Sequence, residues 1–350
     1  MISAFLIALI SLMLLSPLLF PAVIIIISQI MNRNTLDKGM AISRMPETWP
    51  MVSILIAIHN KSGVIEKKLN DIASCDYPKN LIEIILVLDG KVKGIEYALS
   101  QFKEMSPDSP ELKVIQCERS GKNTVLNKAA ENASGSILIF TDADARLDSS
   151  TIRNLVAIFS DSDVGGGCGL HVLSSKKGAQ KKYWNIESAI KAAEQKLLKS
   201  ITASYGTISA IQKEIFTPIP NHVADDLYLA LLVTSKGKRF SFCPQSLVYI
   251  EKPSQNLFDE IKRRRRIVSQ SLGTLSHFKN LMNPVKHGSY AICLVCHKLL
   301  RRLVPLNAIL LLVLCILKAF WGSLLFTILS LIQMSIYTIL GSQSPRFLKA

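Results

Sequence analysis

The sequence predicts an α/β fold with a mainly parallel sheet, joined to transmembrane helices. Several short apolar runs in the first half of the chain are continuous rather than alternating, as strands buried on both faces are. Amphipathic stretches separate them in a β-α-β-α order, which is the order of a parallel sheet covered by helices on both sides. Long, nearly uncharged apolar blocks stand near both ends of the 350-residue chain.

Taken in order, the first block, residues 2–30, is about 29 residues long, or roughly 43 Å as a helix, against a hydrocarbon core of about 30 Å. It is too long for the apolar part of a signal peptide, no basic residue precedes it, and no small-residue cleavage site follows, so it reads as a retained span. Pro17 and Pro21 would kink it, which transmembrane helices tolerate. Residues 52–58, 82–88, 112–115 and 136–140 read as strands, and residues 62–73, 95–102 and 123–132 as helices. Residues 103–110, rich in Ser and Pro, read as a loop, and residues 227–234 as a further helical run. The second apolar block, residues 303–340, is expected to form a hairpin of two spans turning near Lys318-Ala319-Phe320, with Lys318 snorkelling and Trp321 at the interface.

These elements divide the chain into an N-terminal transmembrane helix (residues 1–31), an α/β domain (48–275), an interfacial segment (276–302) and a C-terminal transmembrane hairpin (303–341). Arg33, Lys38 and Arg44 follow the first block, and His297, Lys298, Arg301 and Arg302 precede the second. The positive-inside rule then puts the α/β domain in the cytoplasm, in a multi-pass protein of the cell (inner) membrane with its N-terminus outside and its C-terminus inside.

The formal net charge of +15 suits anionic phospholipid and phosphorylated substrates. Nucleic acid is not expected as a partner, because the basic residues lie beside spans and in one helix without the aromatic interleaving that stacks bases. Seven scattered cysteines, an odd number, suit a reducing compartment better than a disulfide framework. Cys293-Leu-Val-Cys296 has metal-knuckle spacing, but it lies in an apolar segment with no second pair and reads as buried thiols.

Three familiar motifs fail. Gly121-Lys122-Asn123-Thr124 resembles the end of a Walker loop, but its hydroxyl is displaced by one and the upstream glycine is absent. Asp142-x-Asp144-x-Arg146 begins like a calcium loop, yet has Arg at the third ligand position and no glycine. Gly165-Gly166-Gly167-Cys168-Gly169 lacks dinucleotide spacing and reads as a place of close backbone approach beside a pocket.

In parallel sheets ligands sit at the carboxyl ends of strands, where Asn60, Asp89 and Asp142 to Asp144 all fall. Carboxylates there can hold a divalent cation, Mg or Mn, to neutralise a departing diphosphate, and a second acidic pair, Asp225-Asp226, offers a base for an attacking hydroxyl. Each pair also has a plainer reading: Asp225-Asp226 as negative charge favoured at a helix N-terminus, and Asp142-x-Asp144 as a turn. Together they suit sugar transfer from a nucleoside diphosphate.

In order, the pieces are residues 52–60 (VSILIAIHN), 83–90 (EIILVLDG), 121–127 (GKNTVLN), 139–144 (IFTDAD), Asp225-Asp226 and the basic helix from Lys262 to Arg266. This series resembles the inverting family 2 glycosyltransferases over about residues 50–275, and the flanking spans are similar to membrane-bound members that build bacterial polysaccharides. The resemblance implies a nucleotide-diphospho-sugar transferase domain of the GT-A type. It implies a nucleotide-sugar donor, a saccharide or lipid-linked acceptor, and membrane lipid as partner. Residue by residue, it implies that Asn60 lies on the nucleotide side, that Asp89 binds the nucleoside base, and that Lys122 approaches the nucleotide. Asp142 would meet the ribose or metal, Asp144 would ligate the cation, and Asp226 would be the base with Asp225 in support. Arg266 would contact the diphosphate.

Lys61 stands where many members are acidic, Leu88 replaces the first of two aspartates, and Arg263 and Ile267 replace the Gln and Trp of the element found in processive synthases. Arg263 to Arg266 also suits a helix lying on anionic lipid. Two further readings stay open: single-sugar transfer to a polyprenyl-phosphate or other lipid acceptor, and a catalytically silent subunit of a polysaccharide assembly. The second of these is disfavoured because both acidic pairs are present.

Overall fold

The computed structural model describes residues 2–31, 45–59, 62–104, 109–173, 179–250 and 257–342. The chain divides into two units, residues 20–302 and a second made of residues 1–19 with 303–350.

The larger unit is built on an eight-stranded sheet with the order β3-β2-β1-β4-β7-β6-β8-β5. Its first half follows the sequence closely. β1 (Val52–Ile58), β2 (Ile82–Asp89), β3 (Glu111–Cys117) and β4 (Ile137–Thr141) are parallel neighbours, linked by α2 (Ile65–Ala73), α3 (Glu96–Glu104) and α4 (Lys122–Glu131). β1 and β2 are apolar apart from Ser53, Glu83 and Asp89 because both faces are covered. Ile54, Ile56, Ile84 and Leu86 meet Leu69 and Ile72 of α2 on one side, while Leu55, Ile85 and Val87 meet Val125 and Leu126 of α4 on the other. Lys103 and Glu104 belong to α3 rather than to a loop.

The second half corrects the expectation of a mainly parallel sheet. β7 (Ile208–Gln212) runs antiparallel to β4, β6 (Val164–Leu173) antiparallel to β7, and β5 (Ala145–Leu147) antiparallel to β8 (Arg239–Ile250), while β6 and β8 are parallel. The sheet is mixed. Apolar runs report burial on two faces and carry no information about strand direction, so this half was not readable from pattern alone. The glycines of β6 do allow close approach, but to the core rather than to a pocket: a Cβ on Gly167 would lie 2.7 Å from Ser241 O, and one on Gly166 3.0 Å from side-chain atoms of Phe240 and Val233. α5 (Thr151–Ala157), α6 (Ala179–Leu198), α7 (Asp225–Ser235), α8 (Leu257–His277) and α9 (Pro284–Leu294) complete this unit. The last turns of α1 (Ile2–Met31) join it through Ile24, which packs with Ile190, Ala193 and Cys293.

A π-helical segment, Val295–Leu300, leads from α9 into α10 (Arg301–Ser342), a 42-residue helix. It continues without a break through Lys318, Ala319 and Phe320, so the expected hairpin turn is absent. Those three residues include no Gly or Pro, and Pro305 and Gly322 are both accommodated within the helix. A charged residue in an apolar run is compatible with helix and does not by itself mark a turn. Among the described residues one helical run, Pro284–Phe320, is long and apolar enough to cross a membrane. Further spans are therefore not established by length and composition.

Candidate active site

Strand ends and one helix start build the site. β2 ends at Asp89, which is buried, and its Oδ1 accepts hydrogen bonds from the backbone N–H groups of Ser120 (2.7 Å) and Gly121 (3.2 Å). That carboxylate shapes the turn from which α4 departs. Gly121 sits at φ +92°, where a side chain would strain the backbone, and the next residue is Lys122. Lys122 Nζ lies 2.8 Å from Asp142 Oδ1 and 2.8 Å from Asp225 Oδ2, so one ammonium joins the turn after β4 to the start of α7. Desolvation pulls the Lys122 ammonium downward, but the Asp142 and Asp225 carboxylates outweigh it and hold the group charged, with its pKa above the ordinary value.

The rest of the Gly-Lys-Asn-x-x-x-Asn segment serves the same junction. Asn123 and Asn127, four residues apart on one face of α4, grip the loop before Asp225-Asp226. Asn123 Nδ2 donates to Pro220 O (2.7 Å) and Val223 O (3.0 Å). Asn127 donates to Ile219 O (2.9 Å) and accepts from Ile219 N (2.8 Å). The loop is thus stapled to α4 from the residue next to the one that holds the carboxylates. Thr274 Oγ1 of α8 accepts from Ala224 N at 3.0 Å and fixes its far end.

Asp226 is half-buried at the first turn of α7. Desolvation, then the neighbouring Asp225, raises its carboxyl above the ordinary value, against smaller pulls from the Leu227 N–H and the Lys122 charge. Oδ1 accepts from its own Leu227 N at 2.7 Å. Oδ2 faces Gly206, where a Cβ would stand 3.2 Å away, and Gly206 itself adopts φ +81°. A glycine is required there on both counts.

Asp142 and Asp144 lie on the turn between β4 and β5, and Asp144 is exposed. Two hard carboxylates one residue apart suit Mg or Mn. Among the described residues no group of three or more His, Cys, Asp or Glu side chains completes a protein-only metal centre. The fit is therefore to a cation shared with a diphosphate and water, the usual arrangement for Mg with phosphate substrates.

Of the residues picked out in the sequence, Lys122, Asp142, Asp225 and Asp226 converge directly, with Asp144 beside Asp142. Asp89 supports the turn that launches α4. Asn60 lies outside the described residues. Arg266 is on the exposed face of α8, lining a groove with Lys262, Arg263, Arg265, Ser269 and Gln270, and nothing among the described residues links it to the acidic site. A separate cavity of about 730 Å³, lined in part by Ser136, Ile137, Gln212 and Lys213, opens at the opposite ends of β4 and β7 from Asp142.

Sequence reading missed two contributors to the site and one buried carboxylate at the far end of β2 from it. The first is the segment Gly206-Thr207, whose Thr207 O accepts from Asp142 N (3.3 Å) and from Thr141 Oγ1 (3.0 Å). The second is Lys68, fully buried in α2, whose ammonium is pushed down to about 7 by desolvation against the raising charges of Asp142, Asp71 and Asp144. A signal existed, since Ile65, Lys68, Leu69 and Ile72 fall at i, i+3, i+4 and i+7, which puts a lysine on the apolar face. The third is Glu83, buried at the start of β2, which accepts from Ser53, Lys113 and the backbone N–H groups of Ser134 and Gly135. Burial raises its carboxyl, but these donors prevail and bring it down to about 2.

Residues 53–219 match the family model described as glycosyl transferase family 2, and residues 137–340 match that of glycosyl transferase family group 2. Curated relatives include glycosyltransferase AglE of Haloferax volcanii, 25% identical over 57% of this chain and 66% of its own, and probable glycosyltransferase YdaM of Bacillus subtilis, 25% identical over 58% and 51%. The chain thus spans between half and two-thirds of the length of these relatives. Among solved structures, mannosyltransferase PcManGT of Pyrobaculum calidifontis, in complex with GDP-Man and Mn2+, superposes with a TM-score of 0.69 at 22% identity, over 97% of this chain and 92% of that one. That likeness extends the GT-A-like α/β fold, with its mixed sheet, to this chain. With a family model covering more than half its length, the chain belongs to the family 2 glycosyltransferases.

Proposed function

We propose that the protein is a membrane-integral glycosyltransferase that moves a sugar from a nucleotide-sugar donor to a saccharide or lipid-linked acceptor with inversion. The observation that carries this reading is the Lys122 bridge, with 2.8 Å contacts that bring the Asp142-x-Asp144 turn and the Asp225-Asp226 pair into one site. Asp142 and Asp144 would hold Mg or Mn, which when bound supplies positive charge to the departing diphosphate. Lys122 keeps Asp142 and Asp225 in fixed relation and offers a second positive charge on the donor side. Asp226 takes the proton of the attacking acceptor hydroxyl: its raised pKa makes it a stronger base than an ordinary aspartate, and its Oδ2 faces Gly206, which has no side chain. Asp225 supports the motif through Lys122, Asp89 and Asn60 serve the nucleoside side, and Arg266 the diphosphate. The domain carrying these residues faces the cytoplasm of the cell membrane.

Single-sugar transfer to a lipid acceptor is the second reading, favoured by Ile267 at the position where processive synthases carry the acceptor-placing Trp. A donor screen on the full-length protein in nanodiscs, read by nucleoside diphosphate release with and without Mn2+, tests both. Metal-dependent release that Asp144→Asn abolishes is the expected result. No release with any donor, or an Asp144→Asn protein as active as the parent at saturating donor, would overturn the enzyme reading in favour of a silent subunit or a different cation site. A polymeric product would refute single-sugar transfer.

A further inference from the structure

Against the residues that flank the Asp142-Ala143-Asp144 turn, α2 presents two charged residues three positions apart, on one face of the helix. Lys68 is fully buried, and its Nζ donates to Thr141 Oγ1 (2.8 Å) and to Ala145 O (2.7 Å), the residues immediately before and after the Asp-Ala-Asp triplet. Asp71, one turn further on, receives Arg146 through two bonds of 2.7 and 2.6 Å and also accepts from Leu147 N at 3.0 Å. From the other side Thr207 O accepts from Thr141 Oγ1 and Asp142 N. Both ends of the turn are therefore held by side chains of one helix, and its first residue is pinned from two directions.

A structural role alone does not account for the choice of lysine. Burying an ammonium carries a penalty of several kcal/mol, and an apolar side chain of similar volume commonly serves packing as well or better. Lys68 instead directs its donors to the Thr141 hydroxyl and the Ala145 carbonyl, at the two positions that flank Asp142 and Asp144. Outer residues of this kind fix ligand orientation, and their loss typically weakens metal binding by about 10- to 100-fold.

We propose that Lys68 is a positioning residue for the cation-binding turn, clamping Thr141 and Ala145 so that the Asp142 and Asp144 carboxylates are presented together to a divalent cation and the diphosphate it accompanies. This rests on the assignment of that turn to the cation. Lys68 touches neither cation nor donor and acts through the turn it holds.

The test measures Mn2+ binding directly, by titration calorimetry on the full-length protein in nanodiscs with UDP and, in parallel, GDP present. Thermal denaturation is recorded for every variant. Lys68→Met removes the donor and the charge while keeping side-chain length, Thr141→Val removes the hydroxyl that accepts from Lys68 and donates to Thr207 O, and Thr141→Ser restores it. Lys68→Met and Thr141→Val are expected to weaken Mn2+ binding about 10- to 100-fold, with Thr141→Ser close to the parent. If Lys68→Met fails to fold, Lys68→Gln, which removes the charge and shortens the donor, takes its place, and the Thr141 variants report the joint hold of Lys68 and Thr207 on the turn. A lowered melting temperature with unchanged Mn2+ affinity in Thr141→Val would show a purely structural clamp and overturn the proposal. Asp144→Asn separates this failure from that of the underlying reading. If it binds Mn2+ like the parent, the turn is not the cation site and the inference falls with that assignment; if it loses Mn2+ while the clamp variants do not, only the inference fails.

Discussion

Replacing Asp226 by Asn should have opposite effects on turnover and on stability. The side chain stays isosteric beside Gly206, but it can no longer accept a proton. General-base assistance is worth about 10² to 10⁴ in rate, or roughly 2.7 to 5.4 kcal/mol of barrier, and kcat should fall on that scale with donor affinity nearly intact. Stability follows from the direction of the pKa shift. Burial and Asp225 raise the folded value above the unfolded one, with Lys122 and, more weakly, Lys298 opposing. The group therefore supports the fold most fully below the unfolded value, near 4, and this support is lost as pH rises through the folded value. Asn never ionises, so at pH 8 the variant should melt at or above the parent temperature, with the gap closing as pH is lowered toward 4. The parent's kcat/KM should lose activity on its acid limb as Asp226 takes up a proton. Nucleoside diphosphate release and thermal denaturation, both run from pH 4 to 9, provide the measurements. A fully active variant would rule out the base. A melting difference independent of pH would refute the buried, ionisable carboxylate on which the assignment depends.

Gly206→Ala should cost about 1–2 kcal/mol for a non-glycine residue at positive φ, and its Cβ should displace the Asp226 carboxylate. The expected result is a larger loss in kcat than in melting temperature, and unchanged kcat would contradict the packing described. Lys122→Met removes two charge-assisted contacts, each worth about 1.5–3 kcal/mol, so donor binding should weaken roughly ten- to a hundredfold with the helix content retained by circular dichroism; donor affinity equal to the parent's would refute the bridge. Glu83→Gln should leave the donor KM unchanged while lowering stability at pH 7 by on the order of 3 kcal/mol, the worth of a carboxyl brought from 4.5 to about 2. Because that folded value is depressed, the difference should persist above about pH 4.5 and fade as pH falls toward 2, which denaturation at pH 7 and pH 3 would reveal.

What could be read in the sequence was the half of the sheet built from the first four strands of the chain. β1 matched its apolar run at both ends, and β2 and β4 were displaced by a residue at most, because a strand covered on both faces is largely apolar and its flanks need not be. The two acidic pairs and Lys122 were also legible: Asp142 and Asp144 stand where an apolar run stops, Asp225-Asp226 where one begins, and Lys122 in the Gly-Lys element of the motif series. Their mutual contact was not: Lys122 and Asp225 are separated by about a hundred residues, and no local pattern encodes the Asn123 and Asn127 bonds that hold the intervening loop. Lys68 shows a different limit. Its position on an apolar stripe was visible, but hydrophobic periodicity treats a lysine there as noise unless the partner is known. The turn expected at Lys318 failed for the converse reason, because a lone charge was given the weight that only a Gly or Pro would have earned.

The charges gathered at the site bear on how a donor enters it. Four carboxylates, Asp142, Asp144, Asp225 and Asp226, stand with two lysines, Lys122 at the mouth and Lys68 against the residues that flank the turn, and Lys122 is engaged by Asp142 and Asp225 at 2.8 Å. Lys298 and Arg302 also act on Asp226, but around the Asp142-Ala143-Asp144 turn the carboxylates Asp142, Asp144 and Asp225 outnumber Lys122 and Lys68, and a free nucleotide there would meet repulsion that the bridge only partly offsets. A divalent cation held by Asp142 and Asp144 would reverse that balance, and Lys122 could then offer its charge to a phosphate oxygen from its place on α4. Cation and nucleotide should consequently bind with positive coupling, each raising the affinity of the other by the same factor. Titration of UDP and of GDP in the presence and absence of Mn2+ measures that factor. Equal nucleotide affinity under both conditions would show that the carboxylates are not opposed to the diphosphate and that the cation has no part in donor binding.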